Sequence, residues 1–341
     1  IMSEAPGTLD APVLVLADLD GTRPTDPALE LVAVARTLTG GDGGDGSDVV
    51  ALTLGPVEAE ASAALAAAGA NRLLVADLGG ERAQAAAGAD AVVAAVHEVA
   101  PGAVLVSSDY RGKETAGRAA VLLDSACVSD VADLRVVDGA LHADRLVLSG
   151  SWSTTMSVDA HAGHPPVLAV RPGAVEVPDA SAGGAAPLPA EALEVAVSPE
   201  AAAVRLVSRE STAAAAGPDL AGARTVVVGG RGVDGDFDLV RSLAEPLGAA
   251  VGATRVACDE EWIERSAQIG QTGVSIAPRL YIGLGVSGAI HHTSGIQGAG
   301  TIVAVCDDSE APIFEMADFG VVGDVTEVVP QLVAELDRLR G

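Results

Sequence analysis

The sequence predicts an α/β protein built as two doubly wound parallel-sheet domains, and three observations carry that prediction. In both halves, short apolar runs of strand length alternate with longer segments of helical period. A Pro-, Ala- and Gly-rich stretch at residues 172–199 interrupts the alternation. The length, 341 residues, exceeds that of one ordinary domain and suits two of about 150 each. The boundary is placed between residues 1–205 and 206–341.

In the N-terminal half, buried strands are expected at residues 13–17, 49–54, 73–76 and 104–107. Helices are expected at 27–38 with Asp26 as its cap, at 59–68, within 82–99, and at 112–123. The Gly/Asp run at 40–47 reads as a flexible connection. Near-continuous apolar strands separated by helices argue for a parallel sheet covered on both faces. After residue 131 the pattern changes to period two, at 134–137, 141–148 and 153–158, broken by Asp138-Gly139 and Gly150. These segments read as antiparallel strands added at the sheet edge, with a last apolar strand at 167–170. The stretch 172–199, centred on Ala180-Ser181-Ala182-Gly183-Gly184, reads as a surface excursion or linker.

The second half repeats the alternation. A strand at 225–228 ends on Gly229-Gly230-Arg231-Gly232, and a helix at 237–245 is stopped by Pro246. Strands are expected at 280–284, 301–305 and 321–322, and an amphipathic helix at 325–339. No repeat of 20–50 residues is present that would signal a solenoid.

Hydrophobic residues make up 49% of the chain but aromatics only 2%, so the core must be packed by small aliphatic side chains. No apolar run reaches the ~18–20 residues of a membrane span, and no basic segment followed by an apolar one opens the chain. A cytoplasmic location without membrane insertion is the expectation. The net charge of −27 disfavours nucleic acid and anionic membrane surfaces as partners. Cys127, Cys258 and Cys306 are far apart and form no C-x-x-C pair. His161 and His164 are three apart but run straight into Pro165 and Pro166, which argues for a loop and against a metal-binding helix. No metal site is expected.

The chemistry is concentrated in the last third. The strand beginning at Leu280 breaks on Gly283 and Gly285, and Ser287 leads a helix-like restart through Gly288, Ala289, Ile290, His291 and His292. A strand, a small-residue turn and a helix N-terminus bring free backbone N–H groups together, which suits an anion such as a nucleotide diphosphate. Gly229-Gly230-Arg231-Gly232 lies where open α/β sheets bind ligands, but it is not G-x-G-x-x-G, which disfavours a standard dinucleotide fingerprint. In Gly252-Ala253-Thr254-Arg255 the guanidinium could stack on a flat conjugated ring and hold negative charge developing there. Ile269-Gly270-Gln271-Thr272-Gly273 offers an amide and a hydroxyl to the heteroatoms of a planar cofactor. His291 and His292 point about 100° apart on a helix, so one can face a ligand while the other packs or meets solvent.

Taken together, these segments resemble the α subunit of electron transfer flavoprotein. Gly229-Gly230-Arg231-Gly232, Val251-Gly252-Ala253-Thr254-Arg255, Gly270-Gln271-Thr272-Gly273, Leu280-Tyr281-Ile282, the run from Gly285 to His292 and Glu310-Ala311-Pro312-Ile313-Phe314 stand in family order and spacing. The resemblance covers residues 222–335 closely. It covers the N-terminal half more loosely, where the chain resembles the family's adenine-nucleotide-hydrolase-like domain.

The resemblance implies one FAD in the C-terminal domain, with its isoalloxazine ring facing a partner β subunit in a heterodimer. It implies that Arg255, preceded by Thr254, lies over the ring and stabilises its reduced, anionic form. Ile269, Gly270, Gln271 and Thr272 would line the ring and ribityl region, with the Thr272 hydroxyl near flavin N5. His292 would approach the pyrimidine end beside His291. The segment Gly285, Ser287, Gly288, Ala289 and Ile290 would cradle the pyrophosphate, and Arg231, Cys306 and Asp324 would line the ADP half. Three positions depart from the family pattern: Thr254 replaces Ser, His291 replaces Gln, and Cys306 replaces Asn.

The implied function is electron carriage. FAD would accept electrons from flavin dehydrogenases, such as the acyl-CoA dehydrogenases of fatty acid beta-oxidation, and deliver them to a membrane quinone oxidoreductase. No substrate chemistry of the chain's own is implied. Two alternatives stand beside this reading: a subunit of an electron-bifurcating flavoprotein using NADH, and a self-sufficient FAD- or NAD-dependent oxidoreductase.

Overall fold

A computed structural model describes residues 7–40, 48–79, 84–147, 152–159, 163–172, 185–208, 220 and 222–340. The expected connection at 41–47, the turn at Gly150, His161 and the centre of the Pro/Ala/Gly stretch lie outside the described residues. The chain forms two compact units, Ile1–Arg209 and Glu210–Gly341. Both carry parallel sheets flanked by helices, which makes the protein α/β with doubly wound domains.

The N-terminal unit begins with β1 (Val13–Leu16), fully buried as a run of four apolar side chains. A short hairpin, β2 (Leu19–Asp20) and β3 (Arg23–Pro24), leads into α1 (Asp26–Leu38). The cap of α1 is Thr25 rather than Asp26. The Thr25 hydroxyl accepts from the Ala28 N–H at 3.3 Å, and Asp26 sits in the first turn, where its charge complements the helix dipole. There follow β4 (Val49–Thr53), α2 (Ala59–Ala68), β5 (Arg72–Val75), α3 (Ala85–Val99), β6 (Ala103–Ser107) and α4 (Tyr110–Leu122). Helix α4 opens two residues earlier than the sequence pattern suggests, because Asp109 accepts from the Gly112 N–H at 2.6 Å.

β7 (Cys127–Val137), β8 (Ala140–Val147) and β9 (Trp152–Val158) form the expected antiparallel meander. β7 is longer than its alternating part because its first residues pair in parallel with β10 (Val167–Val170). The nine-stranded order is β11-β5-β4-β1-β6-β10-β7-β8-β9. Its far edge, β11 (Ala190–Ala192), corrects the linker expectation for the second part of 172–199. That segment returns to pair in parallel with β5. Arg72 forks onto both carboxylate oxygens of Glu191, the Ser62 hydroxyl donates to the Leu188 carbonyl, and Leu193 and Val195 pack against the core. A one-turn helix, α5 (Pro199–Ala202), then docks, with the Ser198 N–H donating to Asp90 at 2.7 Å.

The C-terminal unit contains β12 (Thr225–Gly229), α6 (Phe237–Leu247), β13 (Ala250–Ala253), α7 (Arg255–Asp259), β14 (Leu280–Leu284), α8 (Ile290–Thr293), β15 (Thr301–Cys306), β16 (Phe319–Val322) and α9 (Val325–Arg340). Pro246 does not stop α6. It lies in the last turn, and the chain leaves through Gly248 in the left-handed region at φ 59°. The sheet is all parallel in the order β13-β12-β14-β15-β16. Connections run to one side from β12 to β13 and to the other from β14 onward, so the switch point lies between β12 and β14. Ligands of open α/β sheets bind beyond the carboxyl ends of the strands at such a point.

Candidate functional site

The two switch-point strands end level, with Gly229 opposite Leu284. Their following loops touch backbone to backbone. The Gly230 N–H donates to the Leu284 carbonyl at 2.9 Å and the Gly232 N–H to the Gly285 carbonyl at 3.0 Å. A Cβ at Gly230 would meet the Gly285 oxygen at 2.2 Å, and one at Gly232 would meet its Cα at 2.7 Å. The first glycine motif therefore works by close approach of two loops, leaving Arg231 exposed between them. Arg231 makes no ion pair among the described residues.

Beyond Gly285 (φ +61°) the chain does not continue as a helix from Ser287, as the sequence suggested. Helix α8 starts at Ile290, spans four residues and has Ala289 at its cap position. So short a helix has little dipole, and whatever anion affinity the segment has rests on the loop. The carbonyls of Gly285, Ser287 and Ala289 are taken by the N–H groups of Gly232, of Ile313, and of His292 and Thr293. The N–H groups of residues 286–290, by contrast, meet no acceptor among the described residues. Gly288 adopts φ +83°, and a Cβ there would lie 2.3 Å from the Ile313 nitrogen. Successive N–H groups left free around a left-handed residue form a concavity suited to phosphate.

A second loop, residues 268–274, is closed on itself. The Val274 N–H donates to the Gln268 carbonyl at 2.8 Å, the Gly270 N–H to Val274 at 3.1 Å, and the Gly273 N–H to Gly270 at 3.0 Å. It is pinned on two sides, by the Ile269 N–H donating to Ala253 at 2.9 Å and the Gln271 N–H to His291 at 2.7 Å. Gly270, at φ +137°, is required because a Cβ would sit 2.2 Å from the His291 oxygen. The tip, Gln271 and Thr272, is exposed.

The first pin sets this loop beside the end of β13, two residues before Arg255. Thr254 takes the cap position of α7, but its hydroxyl makes no bond among the described residues. Arg255 is exposed and is oriented by its neighbour one turn on: its Nε donates to Asp259 at 3.1 Å, while Arg265 approaches the other carboxylate oxygen at 3.5 Å.

The two histidines part as their spacing predicted. His291 is exposed, with Nδ1 2.8 Å from the Gln271 side-chain oxygen. His292 is buried, with Nδ1 3.1 Å from the Ile269 carbonyl and Nε2 2.8 Å from the Tyr281 hydroxyl. Because a carbonyl only accepts, Nδ1 carries the hydrogen and Tyr281 donates to Nε2. Burial lowers the His292 pKa to about 4, against the opposing pull of the Ile269 carbonyl, and pushes the Tyr281 phenol above its ordinary value. His292 is therefore a neutral imidazole with both nitrogens engaged.

Ile269 packs in the core. Its side chain is buried, its N–H and carbonyl are both bonded, and its Cδ1 lies 2.3 Å from where a Cβ on Gly252 would be. Cys306 is the buried last residue of β15. Asp324 opens α9, accepting from the Thr326 N–H at 2.8 Å and its hydroxyl at 2.6 Å, which hold its pKa below the ordinary carboxylate value. All these segments lie at or just beyond the carboxyl ends of parallel strands. Two residues without a role in the sequence reading emerge here. Tyr281 had a legible signal, since a tyrosine in a buried strand must find a partner for its hydroxyl. Gln268, buried at the base of the second loop, had none.

Residues 13–199 match the family described as electron transfer flavoprotein domain, and residues 219–297 match the electron transfer flavoprotein FAD-binding domain. The chain is 42% identical over 255 residues to electron transfer flavoprotein subunit alpha of Mycobacterium leprae, covering 74% of this chain and 76% of that one. It is 33% identical over 332 residues to the subunit alpha of Bacillus subtilis, covering 96% and 98%. The mitochondrial subunit alpha of Arabidopsis thaliana is 50% identical over a shorter span of 121 residues, 35% of this chain and 33% of that one. The free N–H groups of 286–290 and the exposed amide and hydroxyl of Gln271 and Thr272 suit a pyrophosphate and a planar heterocycle, so the site fits the cofactor that the family binds. The chain belongs to the electron transfer flavoprotein alpha-subunit family, with an FAD-binding domain in its second half.

Proposed function

We propose that the chain is the α subunit of a heterodimer with a β subunit, and that it carries electrons from flavin dehydrogenases, such as acyl-CoA dehydrogenases, to a membrane quinone oxidoreductase. On this reading it is a carrier with no substrate chemistry of its own, working in the cytoplasm. Bound FAD supplies one- and two-electron redox chemistry. The protein's part is to bind, orient and charge-balance it.

The residues divide that work. Residues 286–290 hold the pyrophosphate through their free N–H groups, with Gly285 turning the chain and the guanidinium of Arg231 adding charge. Cys306 and Asp324 line the ADP half. Gln271 and Thr272 present an amide and a hydroxyl to the ring and ribityl region, with the Thr272 hydroxyl near N5. Arg255 supplies fixed positive charge to the ring, with the hydroxyl of Thr254, unbonded among the described residues, lining the site beside it. His292 acts from behind the loop, as a neutral clamp on the Ile269 carbonyl.

The observation that carries the proposal is the run of five N–H groups without acceptors among the described residues, at the switch point of a domain that matches an FAD-binding family. The test is flavin content and absorbance of the purified chain, alone and co-expressed with its β subunit. Stoichiometric FAD that depends on residues 286–290 is the expected result. Flavin that follows residues 13–170, or a homodimer that turns over a substrate alone, would refute it.

A further inference from the structure

Gln268 is 1% exposed, in a unit whose buried side chains are otherwise almost all apolar. Its side-chain nitrogen donates to the Thr272 hydroxyl oxygen at 2.9 Å, across the closed loop. Its side-chain oxygen is also buried and has no partner among the described residues. A buried amide with its carbonyl unsatisfied is a cost to the fold, and the bond to Thr272 is the one thing the side chain does in return. An amide N–H is only a donor, so Thr272 must accept it. The hydroxyl hydrogen is then left over, on an exposed residue at the loop tip, with no acceptor among the described residues.

We propose that Gln268 is a positioning residue that fixes the Thr272 hydroxyl as an outward-facing hydrogen-bond donor to the bound cofactor. The inference rests on the placement of Thr272 against FAD made above. Without Gln268 the hydroxyl could turn its hydrogen inward to a backbone carbonyl or to water. With Gln268 its accepting side is occupied before the cofactor arrives, so the donor direction is preset and little ordering is needed on binding. Gly273 makes this reach possible. A Cβ there would lie 2.1 Å from the Gln268 carbonyl oxygen and 3.1 Å from its Cγ, so a larger residue would push the tip away from the base.

The experiment is a double-mutant cycle on the full-length chain with its β subunit, reading the FAD dissociation constant and the flavin midpoint potential. The melting temperature of the flavin-free chain is read alongside. Thr272→Val should raise the dissociation constant about three- to tenfold, the scale of one hydrogen bond, and lower the potential for uptake of the first electron, which leaves N5 an acceptor. Gln268→Met should shift both in the same direction while leaving the flavin-free chain as stable or more so, because the unsatisfied carbonyl is gone. The double variant should be no worse than Thr272→Val alone.

Should Gln268→Met fail to assemble, Gln268→Glu keeps the volume and offers the Thr272 hydroxyl an acceptor in place of a donor; it should weaken FAD in the same way. Wild-type affinity and potential in the Gln268 variant, or effects that multiply in the double variant, would overturn the inference while leaving the site assignment intact. No effect of Thr272→Val would overturn both.

Discussion

Tyr281 donates its hydroxyl hydrogen to Nε2 of His292 at 2.8 Å, inside the core of the C-terminal unit. That bond joins the central strand β14 to α8, and through the His292 Nδ1–H it reaches the carbonyl of Ile269 at the base of the 268–274 loop. The floor of the candidate site is thereby fixed by a chain of two buried hydrogen bonds.

The chain makes stability depend on pH in a definable window. His292 titrates at about 4 when folded and at about 6.5 when unfolded. Below about 6.5 the unfolded state binds the extra proton, so its contribution is fully present above that pH and is lost as the pH falls toward 4. From pH 7 to pH 5 the loss from this group is about 2 kcal/mol. Urea unfolding of wild type and His292→Gln at the two pH values should show a difference of that size between their pH dependences.

Tyr281→Phe leaves a buried imidazole nitrogen without its donor. A destabilisation of about 1–3 kcal/mol is expected, read as a lowered urea midpoint with an unchanged slope.

Gly288→Ala should abolish stoichiometric flavin. Its φ of +83° disfavours any side chain, and a Cβ would collide with the Ile313 nitrogen at 2.3 Å, so the loop bearing the free N–H groups must move. The flavin-to-protein absorbance ratio checks it, with circular dichroism showing that the fold remains.

Arg255→Ala should lower the flavin midpoint potential by roughly tens of millivolts, the scale of one lost charge interaction in a two-electron couple. Asp259 already draws on the same guanidinium at 3.1 Å, so Asp259→Asn should move the potential the other way. Spectroelectrochemical titration distinguishes the two signs.

The parallel sheets were legible because a strand buried on both faces leaves a bare apolar run, as in residues 13–16 and 280–284, and glycines punctuate its end. The antiparallel meander was legible from period two. The strap at 185–208 was not, because β11 is three exposed residues, Ala190–Ala192, held by backbone pairing and one ion pair. Such an element has no hydrophobic pattern to read. The cap of α1 was misplaced by one residue because Thr25 and Asp26 are both good caps and only geometry separates them. In the site, the motif glycines predicted the loops correctly, but not which histidine faces inward or that α8 is one turn long. Those depend on Tyr281 and Ile269, which lie 11 and 23 residues before His292 and on other elements, beyond the reach of helical periodicity.

The strap also sets an order of events during synthesis. β5 is complete at residue 75, yet its outer neighbour begins at residue 190. A ribosome delivering the chain N-terminus first therefore produces a sheet whose β5 edge stays bare while more than a hundred further residues are made. An unpaired edge is a template for other chains, so the nascent N-terminal unit is exposed to mispairing at β5 until β11 arrives to occupy it.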